Sequence, residues 1–472
     1  MPRQLPPDCL NEIFEYLGDE VDEVTLRSCL LVCRLWCEVS VRILWTNIQN
    51  NNTIIACLPN ESKEILYKNK ITILTPTSKP PLFNYVRFIK SISINKVRKI
   101  RNILKKNQLI SFDNNKYIVV LQEMFKMFMN QISLKTLDFY TNSYFLRLKF
   151  FSIVPFTTYS GAVDCLRNLS ELRFYSDVSS EIFYQLCQTC HNIESLSIVF
   201  EREISNGLSD LISVQQNLKY LDIFNDCKNF TDIIPLLAKL PNTLIKLDIG
   251  VGDYYMPLSF IAKFTNLQEI ILTFDYHDEY FKNLHDVIFP QLQILKFKKH
   301  CPNHEYLTKF LENNGKGLKE IYLHNGNNSL NLDIAKFCPN LKTLYTGFKV
   351  DEIETLKAIL NSCQQLESIE TWCGHSLFGD DYLNENKLFE MVVKYSPKKF
   401  YELKMRYEYD IELLSEELES VFISWANHIP PKSLSLIIIS EFQLIPLRIK
   451  EKSMEVIEKF KKLGVIKKFE IV

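Results

Sequence analysis

A six-residue pattern, apolar-x-x-apolar-x-apolar, recurs along most of the chain. It stands at Ile89/Ile92/Ile94, Leu134/Leu137/Phe139, Leu169/Leu172/Phe174, Ile193/Leu196/Ile198, Leu218/Leu221/Ile223 and Leu244/Leu247/Ile249. It continues at Leu267/Ile270/Leu272, Leu292/Leu295/Phe297, Leu318/Ile321/Leu323, Leu341/Leu344/Thr346, Leu366/Ile369/Thr371 and Phe400/Leu403/Met405. Weaker copies follow at Pro431/Leu434/Leu436 and Ile466/Phe469/Ile471. Starts from 169 to 366 are spaced 24, 25, 26, 23, 25, 26, 23 and 25 residues. A period this regular over nine copies demands a repeat architecture and argues against unrelated globular domains.

The second and third apolar positions of each unit are two residues apart, which is strand alternation. Between units lie segments with helical spacing, such as Ile182, Phe183, Leu186 and Cys190. One strand and one helix cannot bury their apolar faces alone, whereas stacked copies share a continuous core. Several units place a small or apolar residue three positions before the first apolar one: Cys190, Phe264, Cys338 and Cys363. The unit resembles the leucine-rich repeat, and Cys338-Pro339-Asn340-Leu341 is similar to its cysteine-containing form. That resemblance implies an α/β fold, a curved solenoid with parallel strands concave and helices convex. The Asn or Cys expected three residues after the last apolar position is mostly absent, with Asn142 an exception. Spacings of 45, 35, 34, 31 and 35 towards the two ends predict insertions or irregular terminal units.

Residues 1–48 follow a different rule. Leu10, Ile13, Phe14 and Leu17 form one helical stripe, with Pro7 suited to the first turn and Asp8 near the positive end of the helix dipole. Gly18 and the acidic run that follows interrupt it. A second helix is predicted from about Thr25 through Val32, and a third carrying Trp36, Val39, Ile43 and Leu44 and ending near Trp45. So small a unit with so much apolar surface needs a partner. Leu5-Pro6, Leu10, Ile13-Phe14, Leu17, then Val32-Cys33-Arg34 with Trp36, then Trp45 resemble the F-box motif. The resemblance implies docking on the Skp-family adaptor of a cullin–RING ubiquitin ligase, with Leu5, Pro6, Leu10, Ile13, Phe14, Leu17, Val32, Cys33, Trp36 and Trp45 forming the core and its adaptor-binding face. The plainer alternative is a helical cap packed on the next domain.

Composition narrows the rest. An apolar fraction of 46% and a charged fraction of 24% are those of a folded chain. A formal charge of −1 gives no global electrostatic case for nucleic acid or an acidic membrane. The 13 cysteines are scattered, and no export signal or run of ~18 apolar residues stands among them, which predicts reduced thiols in a cytoplasmic or nuclear protein without a membrane span.

Other motifs carry little chemistry. Cys187-Gln188-Thr189-Cys190-His191 spells the haem-attachment pattern, but Cys190 occupies the repeat's own small-residue position. His300, Cys301 and His304 lack a second ligand pair at zinc spacing. Gly250/Gly252 and Gly315/Gly317 lack the strand–helix context of a phosphate loop. Lys96, Arg98, Lys99, Arg101, Lys105 and Lys106, interleaved with Ile100, Ile103 and Leu104, read as the solvated face of a helix.

The expected organisation is an F-box at 1–48, a connecting segment at 49–86, and a leucine-rich-repeat solenoid with irregular ends at 87–472. The expected function is that of a substrate-recognition subunit of an SCF-type ubiquitin ligase, neither enzyme nor cofactor-dependent, with the repeats holding a protein substrate. The alternative is an F-box scaffold or sequestering protein that does not promote ubiquitination. Alternation places Lys296, Lys298, Tyr322, His324, Tyr345, Glu370 and Trp372 on one strand face, where exposed aromatics suit a substrate hot spot. Alternatively, these aromatics simply cover the sheet or pack beneath an ordered segment.

Overall fold

The computed structural model describes residues 5–19, 23–71, 81–107, 114–141, 150–202, 204–226, 233–252, 256–274, 278–324, 326–375, 381–408, 415–427, 432–440 and 451–472. Asn142 and most of the proline-rich break at Thr75–Pro81 lie outside them. The chain divides into two compact units, and the division falls within the strand Tyr220–Asn225.

The first unit opens with three helices, α1 (Pro7–Asp19), α2 (Glu23–Cys29) and α3 (Arg34–Leu44). The second is shorter than its predicted span. Tight bonds from the amides of Leu30 and Leu31 to the carbonyls of Arg27 and Ser28 end it, and Cys33 is extended (φ −161°), so Leu31 and Val32 turn outward. A further helix, Asn51–Ala56, opens the connecting segment expected at 49–86. Asn50 caps it, its side chain accepting from the Asn52 amide at 2.8 Å. The basic run is helical, at Ile94–Arg98 and Ile100–Asn107, and Ile100 and Leu104 are buried beneath it.

Strands β1 (Ser91–Ser93), β2 (Thr136–Asp138), β3 (Glu171–Tyr175) and β4 (Ser195–Phe200) pair in parallel and in chain order. Their entry points share one device. The carbonyl just before each strand accepts two amides of the next rung: Lys90 from Lys135 and Thr136, then Lys135 from Ser170 and Glu171, at 2.8–3.1 Å. The same device begins inside the segment read as an F-box. The Thr46 carbonyl accepts from Lys90 at 2.8 Å and Ser91 at 3.0 Å, and Asn47 bridges Ser91 in parallel. Trp45/Ile48/Asn50 is therefore an additional, polar-ended copy of the repeat, with Ile48 buried.

The second unit repeats the plan. Its strands β5 (Lys246–Val251), β6 (Glu269–Phe274), β7 (Ile294–Phe297), β8 (Glu320–Leu323), β9 (Thr343–Tyr345), β10 (Ser368–Trp372), β11 (Glu402–Tyr407), β12 (Leu434–Ser440) and β13 (Ile466–Ile471) are again parallel neighbours in chain order. The helices His304–Asn314, Asn328–Phe337, Ile353–Ser362, Glu385–Tyr395, Ser415–Ala426 and Glu451–Lys462 pack one on the next as a second layer.

The core is the repeat pattern itself. From Ile89 to Leu403 the first and second apolar positions of every copy are at most 1% exposed. Burying each such side chain contributes about 2 kcal/mol. Cys190, Phe264, Cys338 and Cys363 are fully buried at their common position. The Cys190 thiol donates to the Leu166 carbonyl and the Cys363 thiol to that of Cys338, both at 3.4 Å, so these cysteines bond one rung to the preceding one.

Candidate interaction surfaces

Leu10, Phe14, Leu26, Cys29, Val39 and Leu44 form the centre of the three-helix segment. Phe14 meets Trp36 edge-on at 5.1 Å, and Leu17, Trp36 and Trp45 are half-buried against the cluster. The ten residues assigned to an adaptor face therefore divide. Leu10 and Phe14 are at most 2% exposed and shape the segment from within. Leu5, Pro6, Ile13, Val32 and Cys33 are exposed. Trp45 turns towards the repeats, its ring 4.4 Å from that of Tyr85. Sequence pattern alone missed Leu31 and Val24, which are 88% and 75% exposed. Leu31 lies in the turn that ends α2 early, beyond Cys29, where a helix was expected to continue.

On the strand face of the second unit, the parallel register sets Lys296, Tyr322, Tyr345 and Glu370 side by side, while the exposure expected of Tyr345 and Trp372 needs correction. Tyr345 and Trp372 are buried, at 2% and 4% exposure. Three neighbours cover them. Tyr322 stacks on Tyr345 with ring centres 3.9 Å apart, the ring of Tyr382 lies 6.1 Å from Trp372, and the Arg406 guanidinium lies over both Tyr345 and Trp372. Tyr382 is held there by a backbone bridge to Lys349 and by its amide donating to the Gly374 carbonyl at 2.9 Å. The segment after β10 thus folds back over the sheet, which single-strand alternation could not reveal.

The electrostatics of this face are largely internal. Lys296 pairs with Glu320 at 2.7 Å, Lys298 with Asp248 at 2.9 Å, Lys246 with Glu269 at 3.0 Å and Lys342 with Glu367 at 3.0 Å. Glu370 pairs with Arg406. Burial works against the Arg406 charge, but the Glu370 carboxylate more than restores it, so the guanidinium is held above its ordinary range. Burial also pushes the Tyr345 phenol well up, with Tyr322 adding to the effect. Half-exposed Tyr322 and His324, with Arg406 beside them, form the accessible top of the cluster.

The remaining motifs are structural. Cys190 is sealed in the core, where burial pushes its thiol up to about 12. His304 begins a helix and bonds Asp333 at 2.9 Å. Among the described residues no group of three or more His, Cys, Asp or Glu is gathered as a metal site, and no helix is long and apolar enough to cross a membrane.

Comparison with known proteins gives one family match: residues 3–50 fit the model described as F-box-like. No curated protein matches the chain. Among solved structures, the chain is similar to the leucine-rich repeat-containing protein LegL7 from Legionella pneumophila, at 13% identity over 63% of this chain and 91% of that one, with a TM-score of 0.35. It is also similar to a chain of the Rad7 and Elc1 complex in yeast, at 13% identity over 77% and 99% of the two chains, with a TM-score of 0.40. The repeat architecture described above rests on the strands and their bonding, not on these distant likenesses.

Proposed function

We propose, from the F-box-like segment at residues 3–50, that the chain is the substrate-recognition subunit of an SCF-type ubiquitin ligase. The observation that carries this reading is the apolar surface left on that segment. Leu5, Ile13, Val24, Leu31 and Val32 are exposed around a core that is already complete without them. Apolar residues in that number on one small element suit a protein partner. The Skp-family adaptor is the partner the F-box character implies, and a cullin–RING ligase follows through it.

The repeats then hold the substrate. The patch made by Tyr322, His324 and Arg406 is the favoured contact, because large rings and a guanidinium supply most of the energy in protein interfaces. Lys296, Lys298 and Glu370 contribute only where a substrate charge replaces the partner each already has. The chain performs no bond chemistry in this reading. It raises the local concentration of substrate near the ubiquitin-charged enzyme.

The test is adaptor binding by the purified full chain. A Leu5→Ala/Pro6→Ala variant, altered only at exposed positions, is expected to lose the adaptor while melting as the wild type does. Unchanged affinity would move the adaptor contact elsewhere.

A further inference from the structure

A cavity of about 700 Å³ opens where the three-helix segment meets the first rungs of the repeat. Its apolar lining includes Leu26, Ile43 and Phe88. Four exposed cations, Arg42, Arg87, Lys90 and Lys135, also line it. The placement of these cations follows from the fold. Lys90 and Lys135 occupy the same position on consecutive rungs, each next to the amides that bond the preceding carbonyl, and adjacent parallel strands lie roughly 5 Å apart. Arg87 lies three residues before Lys90. Arg42 lies in the last turn of α3, four residues before Thr46, which holds the corresponding place on the preceding rung.

None of these four cations has an ion pair among the described residues. At the same rung position elsewhere the pattern differs: in the first unit Lys219 pairs with Glu194 at 3.0 Å, and in the second unit Lys342 pairs with Glu367 at 3.0 Å. The cavity lining holds a single acid, Glu15, whose carboxylate accepts from Asn11 at 2.7 Å. Four cations against one carboxylate, in a recess the size of a small-molecule site, make a pocket whose charge suits an anion. Two guanidinium groups favour phosphate, whose oxygens match their paired donors.

We propose that this cleft binds a small polyanion carrying two or more phosphate groups. The ligand would span the three-helix segment and the first two rungs, Arg42 on one side and Arg87, Lys90 and Lys135 on the other. It would not compete with an adaptor. On α1 the cavity takes Asn11, Glu15 and Gly18, whereas Ile13 points away; at roughly 100° per residue these lie on opposite sides of the helix.

Titration calorimetry of the full chain with inorganic tripolyphosphate, at fixed ionic strength, tests this. Saturable binding is expected, with a rise in melting temperature. Arg42→Gln/Arg87→Gln should weaken it by roughly tenfold or more, as should Lys90→Gln/Lys135→Gln, because each pair removes two charge-assisted contacts. All four positions are exposed, so the variants should melt normally without ligand. Lys319→Gln/Lys342→Gln removes the same charge from equivalent rung positions elsewhere and should change nothing. Absence of saturable binding overturns the proposal. So does equal weakening in the control variant, which would mean general charge attraction. Tighter binding of an Asp/Glu-rich peptide of equal charge would assign the cleft to a protein segment instead.

Discussion

The amide of Lys90 donates to the carbonyl of Thr46 at 2.8 Å, which makes the end of the three-helix segment the first rung of the repeat sheet. A flexible tether between the three-helix segment and the repeats would not show this bond. Trp45 on Tyr85 and buried Ile48 reinforce it. Trp45→Ala should therefore cost about 2–4 kcal/mol, less than a fully buried Trp, and should loosen both sides of the joint together. Hydrogen exchange checks this: the amides of Lys90 and Ser91 should lose protection in step with those of α3. Loss confined to α3 would mean that the two parts fold independently.

The proposed adaptor surface predicts opposite behaviour for neighbouring residues. Phe14→Ala should destabilise the three-helix segment by about 3–5 kcal/mol, because Phe14 is 2% exposed and packed on Trp36. Leu31→Ala, at an exposed position, should leave the melting temperature within the scatter of surface substitutions and weaken adaptor binding. Thermal melts and adaptor titrations on the two variants separate these roles. A destabilising Leu31→Ala would show that the exposed residues serve the fold.

On the strand face, burial decides which substitutions report on substrate. Trp372→Ala should cost about 3–5 kcal/mol and remove the ring beneath Arg406, so any loss of substrate would be indirect. Tyr322→Ala/His324→Ala acts on the half-exposed top of the cluster and should keep the fold. Proximity labelling with that double variant should lose substrates. An unchanged set of labelled proteins would place recognition in the segments near residues 96–133 or 373–399.

Much of this was legible from periodicity alone. Leu292/Leu295/Phe297 and its relatives fixed strands, register and core, because a buried repeat tolerates few polar residues at those positions. The rung at Trp45/Ile48/Asn50 was not legible, since it ends in a polar residue and stands 44 positions before the next copy. Alternation puts Tyr345 and Trp372 on the strand face but does not decide between an exposed hot spot and a covered one, and the structure covers them. Their cover comes from Tyr382, Arg406 and Tyr322, which belong to other segments, and alternation within one strand carries no information about such partners. The helix after Asn50 had a local signal, the cap, hidden in a run of three asparagines.

Lys432 gives a pH signature. Its ammonium lies 4.5 Å from the Trp425 ring centre and donates to the Ser396 hydroxyl and the Pro397 carbonyl, and burial pulls its pKa down to about 8 from 10.5. Below pH 8 both folded and unfolded states are protonated, so the cost of burying the charge is fully present. Between about pH 8 and 10.5 the unfolded state holds a proton that the folded state has released, so stability from this group rises with pH. Urea midpoints should show that rise in the wild type and a smaller one in Lys432→Met. Equal pH dependence in the two proteins would assign the rise to other groups.

The most direct test of the central claim is affinity purification of the full chain from cells with the proteasome blocked, beside Leu5→Ala/Pro6→Ala. The ligase reading predicts a Skp-family adaptor and a cullin together with the wild type, both absent from the variant, and ubiquitinated proteins that depend on the same two residues. Adaptor without cullin would contradict it in favour of a scaffold, and no adaptor at all would contradict the F-box role itself.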